Sequence, residues 1–111
     1  MGITSINWED VSWEHVRQGV SRKAFSGNGA TIVLHRLMPD HEPRPHAHPH
    51  EQIVYILSGV IDFHVADTIT RLQAGGLLVV APNTLHWGVV VGEEPVLNLD
   101  VFTPRRSEYT E

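Results

Sequence analysis

The chain has 111 residues, a length that suits one domain with its own core. It has no cysteine, which excludes disulfides, thiolate metal sites and a cysteine nucleophile. Its formal net charge is −5 without a basic stripe, so nucleic-acid binding is disfavoured. Because no apolar run reaches the ~18 residues of a membrane helix and the N-terminus lacks a secretion signal, we expect a cytoplasmic protein with no membrane partner.

Short apolar segments separated by turn residues run through most of the chain. One or two edge strands are predicted over residues 16–25, and Ser26-Gly27-Asn28-Gly29 is a hairpin turn signal. Further strands are predicted at 30–38, 52–57, 60–65, 69–72, 77–80, 87–91 and 96–102. The continuous apolar run at 77–80 predicts a strand buried on both faces. No stretch has helical period, and this pattern is typical of an all-β sandwich or barrel.

A dense group of metal-binding side chains precedes the strand at 52–57. His46, His48, His50 and Gln52 fall within seven residues, and such groups are costly to bury without a partner. Alternate residues of an extended chain share a face, so His46 and His48 can bind one divalent ion. A solvated loop remains an alternative, as does a site in which His50 replaces Gln52 as a ligand.

A further histidine lies about forty residues beyond this group. His86 follows a turn and precedes the apolar run at 87–91. In a fold built from hairpins, segments that are distant in sequence can become neighbours. His86 could therefore join the first group as a third imidazole.

The last predicted strand carries polar side chains on one face. Period 2 places Asn98, Asp100 and Phe102 together, and a carboxylate there is unusual unless it has a partner. Asp100 is therefore either a cavity residue that acts as acid or base or a surface residue. Arg105 and Arg106 follow a proline, and an arginine can bind a carboxylate through two parallel hydrogen bonds. Either one could instead belong to a solvated tail.

Other polar residues are predicted to lie away from the chemistry. His41 falls in the proline-bearing loop 39–45, where we expect mobile rim residues, and His64 is expected to face solvent. His35 and Arg36 point to opposite faces of one strand. One of them could face the interior, although a rim or surface position for each is equally compatible with the pattern.

The first histidine group resembles the first sequence motif of the cupin superfamily. In this chain the motif reads His46-x-His48, three residues, Gln52, six residues and Gly59. Gln52 stands where the motif has Glu, and Asp40 stands where it has its leading Gly.

The region around His86 resembles the second cupin motif. It reads Gly75, five residues, Ala81-Pro82-Asn83, two residues and His86. Asn83 replaces a turn glycine, which is tolerable because Asn visits left-handed backbone conformations, and Ala81 replaces a proline.

The two motifs together cover about residues 30–104. The resemblance implies an all-β fold, the single-domain cupin double-stranded β-helix or jelly-roll barrel, over residues 1–111, with N-terminal strands in 1–29. We also expect a homodimer, formed through an edge strand.

The tail and the first motif also resemble a narrower group, the small pectin-degradation cupins known as KdgF. By that resemblance, one divalent ion of Ni, Zn, Fe, Mn or Co is held by four residues: His46, His48, Gln52 and His86. Asp100 and Arg106 are then catalytic, and Phe102 and Arg106 bind substrate. Such enzymes convert 4,5-unsaturated uronates, the products of pectate and alginate lyases, to linear 5-keto-4-deoxyuronate.

A neutral ligand set leaves the full charge on the ion and favours a small anionic or polar partner. Two alternatives remain from the sequence. One is another cupin enzyme, such as a dioxygenase or a cyclase. The other is a non-catalytic barrel that binds or senses a small molecule.

Overall fold

Antiparallel strands make up most of the chain in the computed structural model, which describes residues 4–109. The strands are β1 (Glu14–Arg17), β2 (Val20–Ser26), β3 (Thr31–Leu37), β4 (Glu51–Ser58), β5 (Ile61–Val65), β6 (Thr68–Leu72), β7 (Leu77–Val80), β8 (His86–Val90) and β9 (Val96–Thr103). Single-turn 3-10 helices at Trp8–Asp10 and Ser107–Tyr109 flank them. Within the described range, no helix has the length and apolar character needed to span a bilayer.

The strands form two sheets that face each other. The large sheet has the order β1-β2-β3-β9-β4-β7, and the small sheet has the order β6-β5-β8. Every strand pair is antiparallel, and Ser26 pairs with Thr31 across the predicted hairpin turn. The all-β prediction is therefore confirmed; residues 1–3 and 110–111 of the predicted domain lie outside the described residues.

The inner faces of the two sheets meet in an apolar core. In β4 the side chains alternate, so that Val54 and Ile56 are fully buried while Ile53 and Leu57 are exposed. The core residues are Leu37, Val54, Ile56, Ile61, Phe63, Leu72, Val80, Val90 and Val96. The same strands carry polar inward side chains toward one end of the barrel, and these positions form the site described below.

The strand predicted to be buried on both faces is buried on only one. Val80 is fully buried, but Leu77 and Val79 are 64% and 58% exposed. This strand, β7, forms one edge of the large sheet, and its outward side chains remain accessible in the described structure. The prediction was wrong because a four-residue apolar run does not reveal whether a second layer covers its outer face.

The prediction of a mobile rim position for His41 was also wrong. Its side chain is buried, and its Nε2 accepts a hydrogen bond from the Val90 N–H at 3.2 Å. The backbone of His41 packs against Gly19, where a Cβ would lie 2.5 Å from the His41 Cα. Burial lowers the pKa of His41 because the charged form is disfavoured away from water.

Candidate metal centre

Backbone pairing brings the two distant histidine segments together. The His46 N–H donates to the His86 carbonyl at 3.1 Å, and the His86 N–H donates to the His46 carbonyl at 2.9 Å. His48 completes the group, and one ligand atom from each of the three imidazoles lies within 4.8 Å of the others. The chain thus brings together three potential metal ligands from separate segments.

Local hydrogen bonds fix the orientation of all three rings. The Nδ1 of His46 lies 2.8 Å from the Arg44 carbonyl, that of His48 lies 3.0 Å from the His50 carbonyl, and that of His86 lies 2.8 Å from the Thr84 carbonyl. A carbonyl can only accept, so each Nδ1 carries the proton and each neutral ring keeps its lone pair on Nε2. Metal-binding histidines are commonly oriented by such a bond on the other nitrogen.

Burial keeps two of these imidazoles neutral. His86 is 1% exposed, and burial lowers its pKa to about 4. Burial also lowers the pKa of His48. The buried Nε2 of His86 has no hydrogen-bond partner among the described residues, and such an atom is costly unless something binds it. A divalent cation fits this set, because metals require neutral imidazoles with free lone pairs.

Gln52 places an oxygen beside this group. Its Oε1 lies 3.0 Å from the His48 Nε2. With the His48 proton on Nδ1, both atoms are acceptors, so their contact is unfavourable unless a cation lies between them. A separation of roughly 3 Å is typical of neighbouring ligands that are each about 2.1 Å from one ion. The amide oxygen therefore fits a metal site as the histidines do.

Asp100 holds the other end of the Gln52 amide. Its carboxylate is buried, and its Oδ1 accepts a hydrogen bond from the Gln52 Nε2 at 2.8 Å. Its Oδ2 accepts from the Asn98 Nδ2 at 3.1 Å and contacts the His35 Nδ1 at 2.8 Å. His35 and Asn98 lie opposite each other on β3 and β9, so two paired strands hold this carboxylate.

Phe102 and Arg106 lie next to the histidines. Phe102 is buried, with its ring centroid 5.4 Å from that of His48. The Arg106 guanidinium lies 4.6 Å above the Phe102 ring and pairs with Glu108. Arg105 is exposed. Among the described residues, His50 is outside the convergent group of three histidines, which favours Gln52 over His50 as the fourth ligand.

A cavity of about 290 Å³ opens beside these residues. Its walls include His46, His86, Gln52, Asp100, Phe102 and Arg106. Three further arginines, Arg17, Arg22 and Arg44, also line it, whereas Asp100 is the one acidic residue in this lining. Two of these arginines already have carboxylate partners outside the lining, Arg22 with Glu14 and Arg106 with Glu108. The lining itself still carries more guanidinium groups than carboxylates, in a chain whose net charge is −5. Such a concentration of guanidinium groups attracts anions.

Residues 33–102 match the cupin domain family. The chain belongs to this family. Among curated proteins, it is similar to the pectin degradation protein KdgF of Dickeya dadantii, with 26% identity over 103 residues that cover 91% of this chain and 93% of the relative.

Solved cupin structures share the fold. An RmlC-like cupin from Shewanella frigidimarina superposes with a TM-score of 0.87 at 24% identity, covering 97% of this chain and 96% of the other. KdgF from Halomonas sp. superposes with a TM-score of 0.82 at 25% identity, covering 90% and 94%. These similarities confirm the cupin barrel and the affinity to KdgF that the sequence motifs predicted.

The structure brings the predicted site residues of this cupin together. The three histidines and Gln52 converge, and Asp100, Phe102 and Arg106 line the adjoining cavity. Their individual roles in binding and catalysis stay predictions.

The sequence analysis missed several residues of the site. It did not decide which way His35 points, and it predicted the strand face of Asn98 but no contact for it. In the structure both side chains contact Asp100. The sequence analysis also gave no role to Arg17 or Arg22, and it treated Arg44 only as a rim residue of the loop at 39–45. Alternation along a strand predicts which side chains share a face, but it does not show which residues meet across neighbouring strands.

Proposed function

We propose that this cupin is a metal-dependent enzyme that converts 4,5-unsaturated uronates to linear 5-keto-4-deoxyuronate. The observation that carries the proposal is a buried carboxylate, Asp100, in an arginine-lined cavity beside three convergent imidazoles. The similarity to two KdgF proteins supports the same function. A cavity of about 290 Å³ has the size expected for a small ligand.

The cavity suits an anion with one sugar ring. The substrate carries a carboxylate, and Arg106 offers a guanidinium that is held over the Phe102 ring. That guanidinium already pairs with Glu108, so the substrate carboxylate would share or displace this partner. Phe102 lines the cavity and would be the apolar contact for the sugar ring.

The conversion is an isomerisation that moves one proton from the C1 hydroxyl to C4. The bond between C1 and the ring oxygen breaks, which leaves an aldehyde at C1 and an enol at C5, and protonation at C4 then turns the enol into the C5 ketone. Asp100 is the acidic residue in the cavity lining, and we assign it the transfer of this proton. A divalent ion held by His46, His48, Gln52 and His86 would supply Lewis acidity that stabilises negative charge on a substrate oxygen. His35 and Asn98 hold Asp100 in place through its Oδ2.

The test follows the ultraviolet absorbance of the conjugated double bond of an unsaturated uronate. Metal-loaded wild-type protein is expected to remove this absorbance, Asp100→Asn to lose most of the rate, and chelator-treated protein to be inactive. Asp62→Asn is the matched control, because Asp62 pairs with Arg71 outside the cavity. Unchanged absorbance with metal-loaded wild type, or full activity of Asp100→Asn, would contradict the proposal.

A further inference from the structure

The Gln52 amide has two nearly isosteric ends, and its surroundings decide which end faces the histidines. With its oxygen toward His48, the amide meets another acceptor at 3.0 Å. With its NH₂ group toward His48, it would instead donate a hydrogen bond to that Nε2. In the absence of a cation, the contact with His48 alone would therefore favour the orientation that points a donor at the metal position.

Asp100 opposes that orientation. Its Oδ1 lies 2.8 Å from the Gln52 Nε2, so a reversed amide would bring two oxygen acceptors together in a buried position. Its Oδ2 is occupied by His35 and Asn98, so the carboxylate cannot easily turn away. We propose that Asp100, held by His35 and Asn98, is the positioning residue that directs the Gln52 oxygen toward the metal position.

The same contact explains why an amide occupies position 52 while a carboxylate occupies position 100. A glutamate at position 52 would place a second carboxylate within hydrogen-bonding distance of the Asp100 oxygen, and two such groups cannot both be ionised. An amide at 52 and a carboxylate at 100 therefore form a matched pair. This inference concerns metal binding and does not depend on the uronate reaction.

The pair predicts the outcome of exchanging its members. In Asp100→Asn, His35 and Asn98 still require an acceptor, so the Asn oxygen faces them and its NH₂ group faces Gln52. Gln52 then reverses to accept that hydrogen bond, and its own NH₂ group faces the metal position. In the double variant Gln52→Glu with Asp100→Asn, both ends of residue 52 are oxygens. Every hydrogen bond is then satisfied, and an oxygen faces the metal position again.

The experiment is a calorimetric titration of Ni²⁺ into chelator-treated protein. Asp100→Asn is expected to lower the affinity about ten- to a hundred-fold, the usual effect of losing a residue that orients a ligand. The double variant is expected to bind at least as tightly as wild type, and the control Asp62→Asn to bind as wild type does. Wild-type affinity in Asp100→Asn would overturn the proposal, as would no recovery in the double variant. If Asp100→Asn is unstable, the double variant alone decides, because it retains every hydrogen bond.

Discussion

The two ends of the barrel interior are lined by the same strands but by opposite kinds of side chain. On β4, Val54 and Ile56 belong to the apolar core, whereas Gln52 lies beside the histidines. On β9, Val96 belongs to the core, whereas Asp100 lies in the polar network. On each of these strands, residues only two or four positions apart therefore lie in different regions, one in the apolar core and the other in the candidate metal centre. We expect stability to depend mostly on the apolar end and metal binding on the polar end.

The largest expected effect is on stability, at the apolar end. Ile56→Ala removes a fully buried side chain and is expected to lower the free energy of unfolding by about 2–5 kcal/mol, because the cavity left behind is not refilled. The Ni²⁺ affinity of the folded protein should not change. Denaturant unfolding and calorimetry measure the two quantities, and Ile69→Ala on the surface is the control. A parallel loss of affinity would show that the two ends are coupled.

Low pH should destabilise the metal-free protein through the polar end. His86 titrates near 6.5 when unfolded and at about 4 when folded. Between these values the unfolded chain binds a proton that the folded chain does not, so stability falls as pH falls from about 6.5 to 4. The expected loss is about 3 kcal/mol. Denaturant unfolding across this range measures it, and His86→Asn should reduce the dependence, leaving the smaller part that comes from His41 and His48, whose pKa values burial also lowers. A stability that stays level or rises toward pH 4 would contradict this prediction.

His86→Ala tests the polar end, where metal affinity should change, whereas Ile56→Ala tests the apolar end, where stability should change. Removing one of the convergent imidazoles is expected to lower Ni²⁺ affinity by more than about a hundred-fold, the upper range for losing a supporting residue. His64→Ala is the control, because His64 stacks on Trp87 and lies outside the group of three. Equal affinities in these two variants would show that the ion binds elsewhere.

The smallest expected effect is at the mouth of the cavity. Arg44 is exposed and lines the cavity, so Arg44→Ala should raise the KM for an unsaturated uronate a few-fold and leave kcat unchanged. The difference should shrink at high salt, because exposed charges are screened. Steady-state kinetics at two ionic strengths measure it, with Arg71→Ala as the control. A loss in kcat instead would assign Arg44 to the chemical step.

The polar end was the more predictable of the two from sequence. The shared face of Asn98, Asp100 and Phe102 follows from alternation along β9, whereas His46 and His48 converge from a segment that precedes β4 and forms only an isolated bridge. Contacts across strands do not follow from alternation, so the hydrogen bonds from His35 and Asn98 to Asp100 were missed. Leu77 and Val79 were wrongly predicted to be buried, since hydrophobicity alone does not show whether a chain covers its own apolar surface.

The carbonyls that orient the three imidazoles have a consequence for protein engineering. Each carbonyl belongs to a residue only two positions from its histidine. All the hydrogen bonds that orient the rings therefore lie within residues 44–50 and 84–86. Two short peptides, joined by the backbone pairing of His46 with His86, carry the geometry of the triad. They could be grafted as a unit into an unrelated barrel that offers two adjacent strand ends.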